Sequence, residues 1–362
     1  MANNRINVGI LFGGKSAEHE ISLRSAKNVI EALDTSRFYP VLIGITKQGK
    51  WLYDEASELI LGEGENLSLN IDSSEVALVP NSGGQIHYVA NGKWAEKVDV
   101  VFPILHGPMG EDGATQGLLK LANVPFVGCD VLGSAVGMDK DVMKRILRDA
   151  GLPIGKYIAL RSHEVRPTFA EISTELGIPC FVKPANLGSS VGINRADTED
   201  EYNRALDEAF AFDRKIVIEE FVDGREIECA ILGNEEPKAS VPGEISFSAN
   251  FYSYEAKYLD DKGYRIDIPA KITEEQIKEV QDIAVRTFQV LECEGFSRVD
   301  VFLTKEGRIL VNEINTIPGF TKISMYPKLW EASGVLYTDL ISQLIDLGIA
   351  RHEKVSGLRT SI

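Results

Sequence analysis

Asp300, Glu313 and Asn315 are spaced to do metal and phosphate chemistry. They lie in the segment RVDVFLTKEGRILVNEINTIPGF, residues 298–320. Two apolar runs, 299–303 and 308–314, flank Lys305-Glu306-Gly307, which is the pattern of a β-hairpin. Side chains alternate along a strand, so Glu313 and Asn315 share a face that Asp300 of the paired strand can join. Two carboxylates and an amide oxygen form a hard, all-oxygen donor set suited to Mg²⁺, with positions left for phosphate oxygens. The plain alternative is a solvated hairpin face.

A second candidate is the loop Pro184-Ala-Asn-Leu-Gly188-Ser189-Ser190-Val191-Gly192 between two apparent strands. Small residues let backbone N–H groups approach phosphate oxygens, and the hydroxyls of Ser189 and Ser190 add donors. Lys183 supplies a cation just before the loop. No Gly-x-x-x-x-Gly-Lys-Ser/Thr occurs, so this is not a Walker A loop, and an ordinary hairpin turn is the competing reading. In the segment 216–226, Glu219 and the backbone of Val222 could read an adenine edge, and Glu226 could take ribose hydroxyls. The competing reading there is a pair of ordinary edge-strand glutamates. His106, after a strand, taken alone reads more readily as a capped loop residue than as a catalyst.

The elements that must position these groups alternate between strand and helix. Residues 7–12 form an apolar strand that breaks at Gly13-Gly14, and 16–33 carries helical periodicity. Runs 39–46 and 98–105 are further β-branched strands, and 54–97 reads as loops with short strands. This alternation predicts a parallel sheet with ligands at its carboxyl ends. Gly151-Leu152-Pro153 punctuates the chain. Strands at 157–160, 180–183 and 215–221 then alternate with helices at 168–176 and after Thr198. Thr198–Glu201 and Thr273–Gln276 fit capping boxes, and helix 273–290, the hairpin and two helices near 327–348 complete the chain. Residues 250–263, rich in aromatics and charges, read as an ordered functional loop.

At 362 residues the chain is long enough for two or three domains, and 44% hydrophobic with 25% charged residues is ordinary for a globular protein. The net charge of −16 repels phosphate backbones and anionic membranes, so neither nucleic acid nor membrane is expected as a partner. A nucleotide is still compatible, because a few placed lysines and a metal ion dominate locally. Cys129, Cys180, Cys229 and Cys293 are far apart without a Cys-x-x-Cys, which predicts buried free thiols rather than zinc. The N-terminus lacks a signal-length apolar stretch, and no run of about 18 apolar residues occurs, so a cytoplasmic location is expected.

Lys140, Lys183, the Gly188–Gly192 loop, Glu219–Glu226, Arg298, Asp300, Glu313 and Asn315 stand in the order and spacing of the ATP-grasp enzymes. Four further segments narrow the resemblance: Gly13-Gly14-Lys-Ser16-Ala-Glu18, His106-Gly107-Pro-Met-Gly110-Glu-Asp112-Gly113, Met138-Asp139-Lys140 and Tyr254-Glu-Ala-Lys257-Tyr258. Together they resemble the D-alanine–D-alanine ligase family over residues 5–345. The resemblance implies a mixed α/β (α+β) architecture: an N-terminal parallel α/β domain, 1–137, then an ATP-grasp fold whose central part (138–235) and C-terminal part (236–362) carry antiparallel sheets.

It also implies roles. Asp300, Glu313 and Asn315 would bind two Mg²⁺ ions, with Mn²⁺ a substitute. Lys140 and Lys183 would hold phosphates of ATP, with Ser189, Ser190, Glu219, Glu220, Phe221, Val222, Glu226, Lys257, Asn312 and Glu313 completing the ATP site. Arg298 would stabilise the transferring phosphoryl group and the later oxyanion. Glu18 would bind the ammonium of the first D-alanine, with His106 close by, and Glu18, Ser189 and Tyr258 would form a hydrogen-bonded chain over the substrates. Gly319 and Ser324 would line the pocket of the second D-alanine, Ser324 through the carboxylate of that molecule. The implied reaction makes D-alanyl-D-alanine through an acyl phosphate for peptidoglycan synthesis, in a homodimer. The rival readings are a D-alanine–D-lactate ligase, another ATP-grasp carboxylate–amine ligase, and a nucleotide-binding regulator that has lost catalysis.

Overall fold

A computed structural model of the chain describes residues 5–55, 60–62, 67–247, 264–321 and 323–359. Lys257, Tyr258 and the rest of the aromatic segment 250–263 lie outside the described residues.

The first strand, Ile6–Gly13, is apolar on both faces because it sits between neighbours and under helices. It pairs in parallel with Phe38–Ile45 on one side and Val100–Ile104 on the other. An antiparallel ribbon, Trp51–Tyr53, Ser74–Leu78, Gln85–Tyr88 and Trp94–Lys97, extends the sheet outward to seven strands. The carboxyl ends of Ile6–Gly13 and Val100–Ile104 therefore lie side by side. They deliver the loops that carry Glu18 and His106. Helix His19–Ala32 starts directly after Glu18 and is tied back to the sheet by Ser22, whose Oγ accepts the Gly13 N–H at 2.7 Å and donates to the Ile104 carbonyl.

Tyr157–Arg161, Lys215–Glu220, Cys180–Pro184 and Asn194–Ala196 form a four-stranded antiparallel sheet. Helices Phe169–Leu176 and Glu199–Phe212 cover it, each opened by a complete capping box, on Thr168 and Thr198. This sheet has its own core around Ile172, Val182, Tyr202, Leu206 and Ile218. Lys215–Glu220 and Gly224–Gly233 are almost contiguous in sequence yet belong to different sheets, so 221–223 is a bridge between them.

The second antiparallel sheet is ordered Tyr264–Asp267, Gly243–Phe247, Gly224–Gly233, Gly295–Thr304, Ile309–Asn315, with Lys238–Ala239 beside Gly224–Gly233. Helix Glu274–Val290, capped by Thr273, packs on it. Its remaining apolar surface merges with the N-terminal sheet. Val8, Ile10 and Phe12 share one core with Phe296, Phe320, Tyr326 and with Leu340, Ile341 and Leu344 of the last helix, Tyr337–Ser356. Phe296 meets Phe102 edge-on at 6.3 Å and Phe320 at 5.5 Å between ring centroids. This shared core fixes Glu18 and His106 relative to the hairpin strands. The four-stranded sheet stands apart from it. Among the described residues no helix is long and apolar enough to cross a membrane, and all four cysteines are buried free thiols.

Candidate active site

Two cavities open between the sheets. One, of about 400 Å³, lies between the two antiparallel sheets; the other, of about 610 Å³, lies between helix His19–Ala32 and the loop after Ile309–Asn315. Gly188, Ser189, Glu228, Ile245 and Arg298 line both, so the cavities meet at Arg298.

The first cavity is built around cations. Helix Lys140–Asp149 turns Lys140 and Lys144 toward the four-stranded sheet, because residues four apart lie on one helix face. Lys140 Nζ donates to the Leu187 carbonyl at 2.8 Å and pairs with Glu313 at 3.2 Å. Glu219 lies between Lys183, at 2.6 Å, and Lys144, at 3.1 Å. Burial works to raise the Glu219 pKa, but the two ammonium groups outweigh it and hold the carboxyl at about 2. The same pairing raises the Lys183 pKa against the opposing effect of burial. Ser190, Glu220, Phe221, Val222, Glu226, Asn312 and Glu313 line this cavity too. Ser189 and Ser190 both take left-handed backbone, at φ 51° and 59°, which curls the loop over the cavity.

The ion cluster makes a pH prediction. A carboxyl at about 2 in the fold and near 4.5 when unfolded stabilises the protein above pH 4.5, and that stabilisation is lost as the pH falls toward 2. The shift corresponds to ~3 kcal/mol. Lys183→Met should lower the urea midpoint at pH 7, and the gap from wild type should narrow steadily between pH 5 and pH 2.5. A gap independent of pH would assign the loss to packing instead.

The hairpin strands Gly295–Thr304 and Ile309–Asn315 place Asp300 opposite Glu313 and Arg298 opposite Asn315. A bulge between Asp300 and Val301 leaves Asn312 without a cross-strand partner, since Val301 pairs with Val311. The extra residue turns Asn312 and Glu313 together toward the first cavity, while Asn315 lines the second. Arg298 grips both oxygens of Asp300 at 2.7 Å and reaches Glu228 at 2.8 Å; Asn315 Nδ2 donates to Asp300 at 2.9 Å. Burial opposes the charge on Arg298, yet Asp300 and Glu228 raise its pKa well above the usual value. The donor chemistry of Asp300, Glu313 and Asn315 fits a divalent cation: the two carboxylates are cross-strand neighbours facing the cavity whose other wall is cationic, and Asn315, bonded to Asp300, stands where that cavity meets the second. Among the described residues Glu313 pairs with Lys140 and Asp300 with Arg298.

On the other side, Ser189 Oγ donates to Glu18 Oε1, joining the glycine loop to the start of helix His19–Ala32. Ser16 Oγ accepts the Glu18 N–H at 3.1 Å and donates to the His106 carbonyl at 2.8 Å. Gly107 is required beside Glu18: its φ is +78°, and a Cβ would stand 2.8 Å from Glu18 Oε2. His106 is buried, which lowers its pKa and keeps the ring neutral. Its Nδ1 lies 3.0 Å from the Ile317 carbonyl, an acceptor only, so Nδ1 carries the proton and Nε2 accepts from Ser25 Oγ at 3.2 Å. Ser324 Oγ accepts the Thr321 N–H at 3.0 Å, and a Cβ on Gly319 would approach it to 2.8 Å.

Some residues here gave no signal of their own in the sequence. Glu111 accepts N–H groups from Gly107 at 2.6 Å and Ile317 at 3.0 Å, bridging the loop of His106 to the loop after the hairpin. Burial, with Glu18 nearby, raises its pKa to about 8. Its place in the His-Gly-x-x-Gly-Glu-Asp-Gly segment was the available hint. Lys144 was legible only as the residue four after Lys140. Glu228 reads as one more alternating strand residue until its register with Asp300 is known.

Known proteins carry the same plan. The model for the D-ala D-ala ligase N-terminus matches residues 7–129, and that for the D-ala D-ala ligase C-terminus matches residues 146–346. A D-alanine–D-alanine ligase of Shouchella clausii is 53% identical over 100% of this chain and 99% of its own length. The D-alanine–D-alanine ligase A of Escherichia coli K12 is 51% identical over 99% of this chain and 100% of its own. Among solved structures, the Coxiella burnetii D-alanine–D-alanine ligase superposes with a TM-score of 0.83 at 35% identity, covering 98% of this chain and 96% of that one. A D-Ala:D-Ser ligase from Enterococcus faecalis superposes at 0.82 with 36% identity, covering 95% and 99%. The chain belongs to the D-alanine–D-alanine ligase family.

Proposed function

We propose that the two cavities divide the ligation of two D-alanine molecules between them and that Arg298 serves both halves. The chain uses ATP and a divalent metal to make D-alanyl-D-alanine for peptidoglycan synthesis. The observation that carries the division of roles is the meeting of the cavities at Arg298 and Ser189.

ATP would occupy the first cavity, its phosphates against Lys140, Lys183 and the N–H groups and hydroxyls of Ser189 and Ser190, its adenine and ribose against the 219–226 segment. Asp300, Glu313 and Asn315 would hold Mg²⁺, as two ions with Mn²⁺ a substitute, which when bound neutralises charge on the β- and γ-phosphates. Glu18 takes the ammonium of the first D-alanine. The carboxylate of that molecule attacks the γ-phosphorus, the bond to ADP breaks, and an acyl phosphate results. Arg298 faces the charge that develops on the transferring group. The amine of the second D-alanine, having lost its proton, then attacks the acyl carbon. The tetrahedral intermediate expels phosphate and leaves the dipeptide. Neutral His106 and Glu111 hold the two loops that wall the second cavity, so positioning supplies much of the rate. The resemblance would add Tyr258 and Lys257, which lie outside the described residues. The parts 1–137, 138–235 and 236–362 would act as its three units. The resemblance that supports these roles also supports a homodimer working in the cytoplasm.

Product analysis tests the acceptor assignment. With D-alanine, D-lactate and D-serine all present, the protein should release D-alanyl-D-alanine as the dominant product near neutral pH, whereas Tyr258→Phe should gain measurable D-alanyl-D-lactate. A wild-type product that is mostly depsipeptide would overturn the reading.

A further inference from the structure

Glu219 has a lysine for each of its oxygens, and only one of the two faces the nucleotide cavity. Lys183 meets Oε2 at 2.6 Å and lines the cavity together with Glu219, Phe181 and Val222. Lys144 meets Oε1 at 3.1 Å from behind; its side chain is 3% exposed and does not line the cavity. Among the described residues Glu219 is the only ion-pair partner of Lys144. Its ammonium stands 5.7 Å from the centroid of the Tyr157 ring, and Tyr157 is the cross-strand neighbour of Glu219. Burying an ammonium is unfavourable unless it is paired. One that is closed off from the cavity acts on the carboxylate beside it.

A bound nucleotide treats the two lysines differently. Lys183 stands just before the glycine loop, where the phosphates bring negative charge that competes with Glu219 for its ammonium. Lys144 lies behind Glu219 and is not drawn away. With Lys144 in place the carboxylate stays ionised and fixed, and an ionised carboxylate only accepts hydrogen bonds. At the edge of a purine it accepts from a 6-amino group and opposes a 6-oxo group, because two acceptors then face each other. Without Lys144 the same carboxyl has two courses. It takes up a proton, as burial favours, or it follows Lys183 toward the phosphates. A protonated carboxyl donates to a 6-oxo group as readily as it accepts from a 6-amino group, and a displaced one reads neither. Both courses erase the distinction.

We propose that Lys144 is a positioning residue that sets the base selectivity of the nucleotide site: it keeps Glu219 an acceptor-only carboxylate once the phosphates engage Lys183, and so makes the site prefer a 6-aminopurine to a 6-oxopurine triphosphate. This rests on the reading that puts ATP in the first cavity with its base against the 219–226 segment. Lys140 and Lys144, one turn apart on a single helix, then serve opposite ends of the nucleotide, Lys140 directly at the phosphates and Lys144 through Glu219 at the base.

The test is a competition between ATP and inosine triphosphate, which differs from ATP at the purine 6-position and in the proton that N1 then carries. Wild type, Lys144→Met and Glu219→Gln are each given an equal mixture of the two with D-alanine and Mg²⁺, and ADP and inosine diphosphate are quantified by chromatography. Both nucleotides meet the same protein, so the product ratio is independent of the fraction folded and of the amino-acid steps; a merely structural role for Lys144 would slow turnover and leave the ratio alone. Wild type should favour ATP strongly. Lys144→Met should lower that preference roughly 10- to 100-fold, the range for one hydrogen bond to a charged group, and Glu219→Gln, whose amide can both donate and accept, should lower it as well. If Lys144→Met does not fold, Lys144→Gln decides by the same criterion. A ratio unchanged at Lys144 but lowered in Glu219→Gln overturns the proposal and leaves the reading of the nucleotide site standing. A ratio unchanged in Glu219→Gln too removes Glu219 from base recognition and overturns both.

Discussion

Glu313→Gln is expected to reduce ligation roughly a hundred- to a thousand-fold, the size of effect that loss of several kcal/mol of metal-borne charge stabilisation produces, while the ligand-free protein stays close to wild type in stability. The fold has little to lose. Glu313 faces the cavity rather than a core, its contact with Lys140 is a 3.2 Å ion pair, and Lys140 keeps its bond to the Leu187 carbonyl. A glutamine oxygen can still accept from that ammonium. What disappears is one of the two carboxylates that the bulged hairpin sets side by side, and with it half the negative charge available to a cation. Two measurements are needed. Steady-state ADP release should collapse, and the thermal stabilisation given by ADP with Mg²⁺ should shrink relative to wild type. Near-normal turnover would remove Glu313 from the metal site. Lost turnover with an undiminished thermal shift would leave it in catalysis but outside cation binding.

The hairpin illustrates what the sequence could convey. Alternation in 298–315 is strong enough to mark two strands and to bring Asp300 near Glu313, because a period of two survives in the pattern of apolar residues. The bulge does not survive in that pattern. It adds one residue, Asn312, before Glu313, which puts Asn312 and Glu313 in the same cavity although they are sequence neighbours; Glu313 and Asn315 keep the regular two-residue spacing. Capping boxes at Thr198 and Thr273 were legible because they are local, whereas the sandwich of Glu219 between Lys144 and Lys183 joins three elements and has no local signature. The same holds for Glu228, whose partner lies on a strand some seventy residues on. Assignment of 221–223 as a bridge between sheets also escaped, since a turn between paired strands and a crossing between sheets use the same apolar residues.

Arg298→Gln should cost the most, in stability as well as activity. Its guanidinium is 10% exposed and is the shared partner of Asp300 and Glu228, whose side chains are 14% and 9% exposed and stand opposite each other in the strand register. Removing it leaves buried carboxylates facing each other with their cation gone, a loss in the range of about 3–5 kcal/mol for a broken buried ion pair. The penalty has a signature that simple loss of packing lacks. Protonation relieves repulsion between carboxyls, so the deficit from wild type should be largest at pH 7 to 8 and should shrink as the pH falls through the carboxylate range. A divalent cation relieves the same repulsion, so millimolar Mg²⁺ without nucleotide should raise the unfolding midpoint of Arg298→Gln by more than that of wild type. Activity should not return with it. Mg²⁺ can replace the charge next to Asp300, but not a donor that lines both cavities and, on the proposed division of roles, would face the phosphoryl group in one and the acyl oxygen in the other. Recovery of ligation with Mg²⁺ would reduce Arg298 to a counterion for the two carboxylates. A variant as stable as wild type at every pH would mean that Asp300 and Glu228 are held by something other than this arginine.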